Sequence, residues 1–324
     1  MWNTRALVVG ISSLIASVVS AIPAYAQDYP SRLIKVIIPN PPGGPGDIIA
    51  RAFTEKASQI VGTPFVYDYR PGGSTTIGTA AAAKAEPDGY TIIGFPSAGV
   101  GAAAIKKKLP YNLETDFHPV AGLGTVPLVL VARAGLGFKS MDDFSVALRK
   151  GNLMFGSAGV GTIGYFTSLL LMNELKGTAT HVPFRSTLDT LQNVMGGHVD
   201  FCFVSVADVI PFAESKEIKP LVTTASRRLT GMPDLPTTTD VGLPNVNAKF
   251  WYAFLAPSKT PTAVIARLHS AFAEAAKDPS LQKQTKNLGF EVEMRNPDEI
   301  AKVIRDEIAR WKNVVEVNNI PVEN

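Results

Sequence analysis

Short β-branched segments alternate with segments of helical periodicity through the first two thirds of this 324-residue chain. Parallel strands need long crossover connections, usually helices, so the alternation predicts an α/β fold with sheets covered by helices on both faces. The predicted strands are 33–39, 65–68 and 91–95 in a first series, then 126–132, 154–156, 179–183, 201–204 and 219–224 in a second. The predicted helices are 47–61, 76–85, 141–149, 163–175, 187–195 and 206–215. Two series predict two lobes, each a mostly parallel sheet flanked by helices.

The stretch FWYAFLAP, residues 250–257, is a strand-like aromatic segment that follows a Pro- and Thr-rich stretch. A helical tail comes after it, at 261–276, 279–288 and 297–317. If the chain leaves the first lobe near Val126 and returns here, lobe 1 comprises residues 27–125 and 251–324, and lobe 2 comprises 126–250. Such sheets bind ligands at the carboxyl ends of their strands, which predicts a ligand cleft between the lobes.

The first 26 residues differ from the rest. Arg5 precedes a long apolar stretch, 6–19, and Ala24-Tyr25-Ala26 places small residues where a signal peptidase cuts. A retained membrane anchor is the weaker alternative, because serines and Pro23 interrupt the stretch. We therefore predict a signal peptide, 1–26, cleaved after Ala26, and an exported, soluble mature protein.

Charge and cysteine content exclude several classes of protein. The formal net charge is +3, with no basic cluster beyond Lys106-Lys107-Lys108, so no nucleic-acid partner is predicted. Cys202 is the only cysteine, so no intrachain disulfide can form, and its aromatic neighbours predict a buried thiol. The four histidines have no metal-ligand spacing, so no metal site is predicted.

The turn PNPPGGPGD, residues 39–47, ends the first predicted strand. Its prolines fix the path of the chain, while Gly43 and Gly44 keep free amides that can approach a ligand closely. Asp47 occupies a first-turn position of the following helix, whose amino terminus favours an anion. An ordinary tight turn without a ligand remains the alternative for this segment alone.

Polar or small, glycine-bearing turns recur where successive strands end. Strand-to-helix turns often use Gly and Ser for structural reasons alone, but five such turns in one chain favour a cleft that binds a small anion. The candidate ligand-binding residues are Asn40, Gly43, Gly44, Asp47, Ser74, Thr75, Ser97, Ala98, Gly99, Ser157, Ala158, Gly159, Gly161, Thr162, Arg185 and Ser186.

Two motifs favour other functions. GVGTIG, residues 159–164, matches the G-x-G-x-x-G of dinucleotide-binding turns, but the next strand ends in Phe184-Arg185 instead of an acid for the ribose. Ser97 sits in a sequence resembling a nucleophile elbow with one residue too many before the serine, and no histidine is placed to activate it. We therefore predict no cofactor, no catalytic residue and no enzymatic turnover.

Eight segments, in order, resemble landmarks of one family, the periplasmic substrate-binding proteins of tripartite tricarboxylate transporters, also called the TctC or Bug family. The resemblance covers about 29–320, nearly all of the mature chain. The segments are PNPPGGPGD (39–47), RPGGSTTIG (70–78), PDGYT (87–91), KLPYNLETDFHPV (108–120), FGSAGVGT (155–162), HVPFRS (181–186), GGHVD (196–200) and FLAPSKTP (254–261).

The resemblance implies a two-lobed periplasmic-binding-protein fold, type II-like, that closes on a carboxylate with ordered waters bridging the ligand to lobe 1. It also implies delivery of the ligand from the periplasm to an inner-membrane permease. We further predict that the protein is a monomer. The alternatives are an exported enzyme with Ser97 or Ser157 as nucleophile, and a periplasmic ligand sensor for a membrane kinase.

Departures from the family pattern bear on the ligand. The family often has an Asp where Val204 stands, next to Ser205, and losing that acid disfavours an amino-acid ligand. Arg185 can bind a second carboxylate in bidentate fashion if it faces the cleft. The small side chains of Ala102 and Ala103 leave room for a bulkier ligand. Val204 and Ser205 complete the candidate site, and the predicted ligand is a dicarboxylate, with an aromatic one as the bulkier variant.

Overall fold

Ten strands and ten α-helices lie in the described residues, 29–286 and 288–322, of the computed structural model. The predicted signal peptide falls outside these residues. The strands are β1 (Ile34–Ile38), β2 (Phe65–Tyr69), β3 (Thr91–Pro96), β4 (Phe117–Arg133), β5 (Leu153–Ser157), β6 (Ala179–Pro183), β7 (Phe201–Ser205), β8 (Ile218–Thr223), β9 (Lys249–Pro257) and β10 (Glu291–Arg295). The helices are α1 (Pro45–Val61), α2 (Thr76–Ala83), α3 (Ala98–Ile105), α4 (Met141–Arg149), α5 (Ile163–Leu175), α6 (Thr187–Met195), α7 (Val206–Val209), α8 (Thr262–Ala275), α9 (Pro279–Lys286) and α10 (Pro297–Val317).

The strands form a continuous mixed sheet in the order β2-β1-β3-β9-β4-β7-β5-β6, with β8 and β10 also paired to β4. The predicted α/β class is confirmed, but the pairing is more mixed than predicted. Neighbours β1 and β2, β1 and β3, β5 and β6, and β5 and β7 are parallel. Every pairing of β4 and β9 is antiparallel, because both strands run back through the middle of the sheet.

Strand β4 belongs to both halves of the sheet. From Phe117 to Pro127 it pairs with β9, and from Leu128 onward it pairs with β7. Two register shifts bend its first half, and Gly124 adopts a φ of +153° at the second. This change of partner lies close to the lobe boundary that we proposed at residue 126, which stays a proposal.

The carboxyl-terminal helix α10 covers the two halves together. It begins with a capping box between Asn296 and Glu299, which satisfies amides at its amino terminus. Its apolar face is buried, as the sequence predicted, and the Trp311 ring stacks on Phe166 of α5 with centroids 5.0 Å apart. Helix α10 therefore ties the first half of the sheet to a helix of the second.

The described residues also show whether a helix could span a membrane and what state the cysteine is in. In the described parts of the chain, no helix has the length and apolar character that crossing a bilayer requires. The thiol of Cys202 is free and fully buried, as its aromatic neighbours predicted.

Candidate functional site

The turn between β1 and α1 is braced from within by Asp47. The Gly43 amide donates to its Oδ2 at 2.8 Å, and the Tyr69 hydroxyl donates to its Oδ1 at 2.9 Å. The Asp47 side chain is buried, and both of its oxygens are occupied. Asp47 thus holds the turn in shape, while the amino terminus of α1, whose N-cap residue Gly44 makes no side-chain cap bond, keeps its first amides open.

Gly46 lies where two side chains meet the start of α1. A Cβ placed there would be 3.1 Å from Asn40 Oδ1 and 3.1 Å from the ring of Tyr252 on β9. Glycine at this position therefore lets Asn40 and Tyr252 approach the open amides. Sequence reasoning predicted Asn40 and missed Tyr252, which comes from a strand about 200 residues away in the chain.

The loop before α2 has an unusual backbone. Gly72, Gly73, Ser74 and Thr75 all have positive φ, at +119°, +59°, +54° and +75°. A β-branched residue rarely adopts this conformation, and such strain clusters at ligand sites. Thr75 is 6% exposed, and its Oγ1 has no hydrogen-bond partner.

The orphaned Thr75 hydroxyl lies against the first turn of α3. A Cβ on Gly99 would be 3.1 Å from Thr75 Oγ1, so the hydroxyl and this turn are neighbours. Ser97, the N-cap residue of α3, makes no side-chain cap bond, because its Oγ accepts from the Trp251 amide at 3.2 Å. The amides at Ala98 and Gly99 thus start a helix beside an unsatisfied hydroxyl, which is a suitable environment for an anion.

The β1–α1 turn, the loop before α2 and the start of α3 form the first wall of the site, and the turn after β5, residues 157–162, forms the second wall. Ser157 is buried, and its Oγ lies 2.8 Å from His181 Nε2 and 3.1 Å from both the amide and the carbonyl of Gly159. The Thr162 hydroxyl closes the same turn by donating to Gly159 O at 2.8 Å, and Thr162 caps α5. Ala158 is half-buried between these anchors. Burial lowers the pKa of His181, which favours the neutral ring at neutral pH.

The two walls touch. A Cβ on Gly101 of α3 would lie 2.1 Å from the carbonyl oxygen of Gly161, and a Cβ on Gly161 would lie 2.4 Å from Ile105. Two glycines therefore let α3 pack directly against the turn at 159–162. The glycines of the GVGTIG motif also have packing roles, since a Cβ on Gly164 would be 2.5 Å from Phe203 O.

The remaining predicted site residues differ in their surroundings: two cap helices, one is exposed and one is buried in the core. Ser186 caps α6 by accepting from the Asp189 amide at 3.1 Å, and Ser205 caps α7. The Arg185 side chain is exposed, whereas its backbone amide donates to Asp189. Val204 is fully buried in the core opposite Val129, which argues against direct contact of its side chain with a ligand.

An acid that sequence reasoning missed stands beside this wall. Asp208 lies on α7, directly after β7, and its Oδ2 is buried without a hydrogen-bond partner. Burial raises its pKa, against opposing hydrogen bonds from the Thr187 side chain and the Ser205 backbone. Burial, with a smaller contribution from the charge of Asp208, raises the pKa of Tyr252 to about 12.

The described residues contain no candidate metal site. In the parts of the chain that the structure describes, no three His, Cys, Asp or Glu side chains cluster in a way that could hold a metal ion. The site offers hydroxyls and backbone amides at helix starts, a set of donors suited to a small organic anion.

Comparisons with known proteins agree with this arrangement. A family model described as "Tripartite tricarboxylate transporter family receptor" matches residues 49–320. Protein BugT of Bordetella pertussis is 30% identical over 97% of this chain and 98% of its own. MatC from Rhodopseudomonas palustris, solved with bound malate, is 32% identical with a TM-score of 0.74, over 89% of this chain and 100% of that one. A second R. palustris structure, with adipate, is 28% identical with a TM-score of 0.77, over 89% and 98%.

The family-model match extends over most of the described residues and includes the loop before α2, the start of α3 and the turn after β5. Proteins of this family are solute-binding receptors of the periplasm, and the mixed sheet with flanking helices is their fold. The resemblance that the sequence segments indicated is therefore confirmed. The chain belongs to the tripartite tricarboxylate transporter receptor family.

Proposed function

We propose that this receptor captures a small carboxylate in the cleft between the two walls and delivers it to the permease of a tripartite tricarboxylate-type transporter. The mature protein, cleaved after Ala26, acts as a periplasmic monomer. Lobe 1 (27–125 and 251–324) and lobe 2 (126–250) close around the ligand. The proposal includes no catalytic turnover.

One observation carries the proposal. Thr75 is buried in a strained conformation with an unsatisfied hydroxyl, next to the first turn of α3. A buried hydroxyl without a partner costs free energy, and a strained residue persists only where its surroundings hold it there. A ligand carboxylate accepting from Thr75 Oγ1 and from the α3 amides would satisfy both.

The second wall would complete the enclosure of the ligand. The turn at 159–162 reaches α3 through the Gly101–Gly161 contact, so a ligand bound beside α3 is shielded from water once the walls touch. Malate in MatC and adipate in its relative are both dicarboxylates, which supports a dicarboxylate here. Arg185, exposed and preceding α6, would bind the second carboxylate in bidentate fashion.

Thermal unfolding against a panel of mono-, di- and tricarboxylates, aromatic acids and NAD tests the proposal. A ligand at 100 times its dissociation constant stabilises the native state by about 2.7 kcal/mol, a shift of about 5 °C for a chain of this size. We expect a shift with one class of carboxylate. A shift with NAD alone would contradict the proposal.

Thr75→Val removes the hydroxyl and keeps the shape of the side chain. A hydrogen bond to a charged group contributes about 1.5–3 kcal/mol, so the dissociation constant should rise by about tenfold or more. Thr125→Val is the matched control, because Thr125 is also buried with an unpaired hydroxyl but lies on β4 facing α10. Equal losses of ligand affinity in both variants would contradict the assignment of Thr75 to the binding site.

The alternative with a specific observation behind it is an enzyme using Ser157. Its Oγ pairs with His181 Nε2 at 2.8 Å, a contact between nucleophile and base. Against it, the Gly159 amide donates to the same oxygen, and no described carboxylate orients the histidine. Time-dependent consumption of a bound ligand, followed by mass spectrometry, would favour the enzyme.

A further inference from the structure

A second cavity lies where α10 faces the loops that follow β8. Its volume is about 460 Å³, within the range of ordinary small-molecule sites. Strand β4 contributes Thr125 to its lining, β9 contributes Lys249, and α10 contributes Glu307 and Arg310. The segments 224–226 and 238–239 add several hydroxyl groups. No residue of either wall lines this cavity, so it is separate from the proposed ligand cleft.

Thr125 supplies an unsatisfied hydroxyl to this cavity. The residue is 4% exposed, and its Oγ1 has no hydrogen-bond partner in the described residues. A buried hydroxyl without a partner costs free energy, and native structures usually satisfy such a group with protein, water or a bound ion. The occupant of the cavity is therefore expected to bond to Thr125 Oγ1.

Two cations of the lining are held in place with donors to spare. Lys249 Nζ donates to Ser226 Oγ at 3.3 Å, and Arg310 Nη2 donates to the carbonyl oxygen of Asn245 at 2.7 Å. An ammonium has three N–H donors and a guanidinium has five, so most of them are available to a ligand. Neither cation forms an ion pair within the described residues.

The other charges that line the cavity are matched or weakened. Arg295 pairs with Glu293 at 2.9 Å, and Asp306 pairs with Lys302 on α10. Burial raises the pKa of Glu307 to about 7, so much of this carboxyl is uncharged at neutral pH. The lining therefore carries a net positive charge, and an occupant that accepts hydrogen bonds should be an anion.

We propose that this cavity binds a phosphate group, as inorganic phosphate or as the phosphate of a small ester. A phosphate group carries a charge of about −1.5 to −2 at pH 7 and at least three acceptor oxygens. Thr125, Lys249 and Arg310 bring donors from three different elements to one cavity, whereas a carboxylate has only two oxygens to receive them. The inference is independent of the proposed function, because the cleft and this cavity share no residue.

The tryptophans of the mature chain provide a local readout. Trp251 Nε1 donates to Glu307 at 2.8 Å, and the Arg310 guanidinium lies 4.9 Å from the centroid of the Trp311 ring. The third tryptophan, Trp2, belongs to the predicted signal peptide. Calorimetric titration with inorganic phosphate and with glycerol phosphate, at constant ionic strength set by chloride, gives the affinity. We expect saturable binding at one site, with a parallel change in tryptophan emission.

Two variants locate the binding site. Lys249→Gln and Thr125→Val should each weaken phosphate binding about tenfold, because each removes a hydrogen bond to a charged group. Lys219→Gln is the matched control, since Lys219 is an exposed lysine on β8 outside the cavity. Thr75→Val, which tests the cleft, should leave phosphate binding unchanged. Thermal unfolding checks folding, and Thr125→Val should be at least as stable as the wild type, because it removes an unpaired buried hydroxyl.

The outcomes separate this inference from the proposed function. If neither phosphate probe produces heat or a change in emission, the inference is wrong. Wild-type phosphate affinity in both variants, or a loss in Thr75→Val, would place the phosphate elsewhere and overturn it. Tighter binding of a dicarboxylate that Lys249→Gln weakens would overturn the assignment to phosphate. Tighter binding of the ester identifies a phosphate ester as the ligand, and equal binding identifies the phosphate group alone. The two threonine variants control for each other, so failure of one proposal leaves the other standing.

Discussion

Replacing Gly101 by alanine should weaken ligand binding without destabilising the unliganded protein. The added Cβ would lie 2.1 Å from the carbonyl oxygen of Gly161, whereas carbon and oxygen ordinarily approach to about 3.3 Å. The walls would then have to separate by about 1.2 Å at this contact. Overpacking of this kind costs about 1–3 kcal/mol, borne only by the form in which the walls touch.

The helix itself gains from the change. Alanine is about 1 kcal/mol more favourable than glycine inside a helix, so an open form of the variant should be slightly more stable than that of the wild type. Because the helix is present in both forms, this gain does not affect closure, and the overpacking alone disfavours closure by about 1–3 kcal/mol, which corresponds to a rise in dissociation constant of about fivefold or more. The unliganded protein should unfold within a few degrees of the wild type, or slightly higher.

Calorimetric titration with the best ligand and thermal unfolding without it provide the two readouts. Gly135→Ala is the matched control, because a Cβ there would meet only Arg133 Nη1, at 3.9 Å. Wild-type affinity in Gly101→Ala would show that the contact plays no part in binding. A loss of more than about 2 kcal/mol in unliganded stability would show that the contact is a permanent part of the fold.

Two further predictions concern charged groups. Burial raises the pKa of Glu307 to about 7, above about 4.3 in an unfolded chain, so its proton is bound more tightly when folded. That stabilisation is complete below about pH 4.3 and is lost as the pH rises through about 7. Urea unfolding should therefore show Glu307→Gln to be more stable than the wild type at pH 8 and equally stable near pH 4. Parallel pH profiles of stability for the two proteins would refute the assignment. Arg185→Ala should weaken dicarboxylates by about tenfold and leave monocarboxylates unchanged, with the exposed Arg305→Ala as control. Equal effects on both ligand classes would mean that Arg185 does not bind the second carboxylate.

Local periodicity was sufficient to predict the outer strands and the helices that connect them. The segments missed were those whose structure depends on distant partners. The first half of β4 contains Pro119, Gly122 and Gly124, which predict a loop, yet its pairing with β9 and β10 holds it extended around two register shifts. Helix α3 was missed because AGVGAAAI has two glycines, and one of them, Gly101, is there for contact with Gly161.

The candidate site shows the same division. Thr75 was predicted because it follows two glycines after a strand, a pattern visible within six residues. Asp208 and Tyr252 carry no such pattern: a single acid after a strand and a tyrosine in an aromatic run are common in any sequence. Tyr252 gains its importance only where β9 brings its ring next to Gly46 and Asn40, about 200 positions earlier in the chain. A pattern search along the chain detects turns, whereas it does not detect side chains from distant strands that pack against those turns.

Strand β4 has a consequence for how the molecule unfolds. It carries the hydrogen-bond ladder of β9 along its first half and those of β7 and β8 along its second, so neither half of the sheet is complete without it. The stack of Trp311 on Phe166 joins the same halves through their helices. Two lobes that share a strand and a helix contact should melt as one cooperative unit. A single calorimetric transition is therefore expected, and proteolysis should not release a folded half.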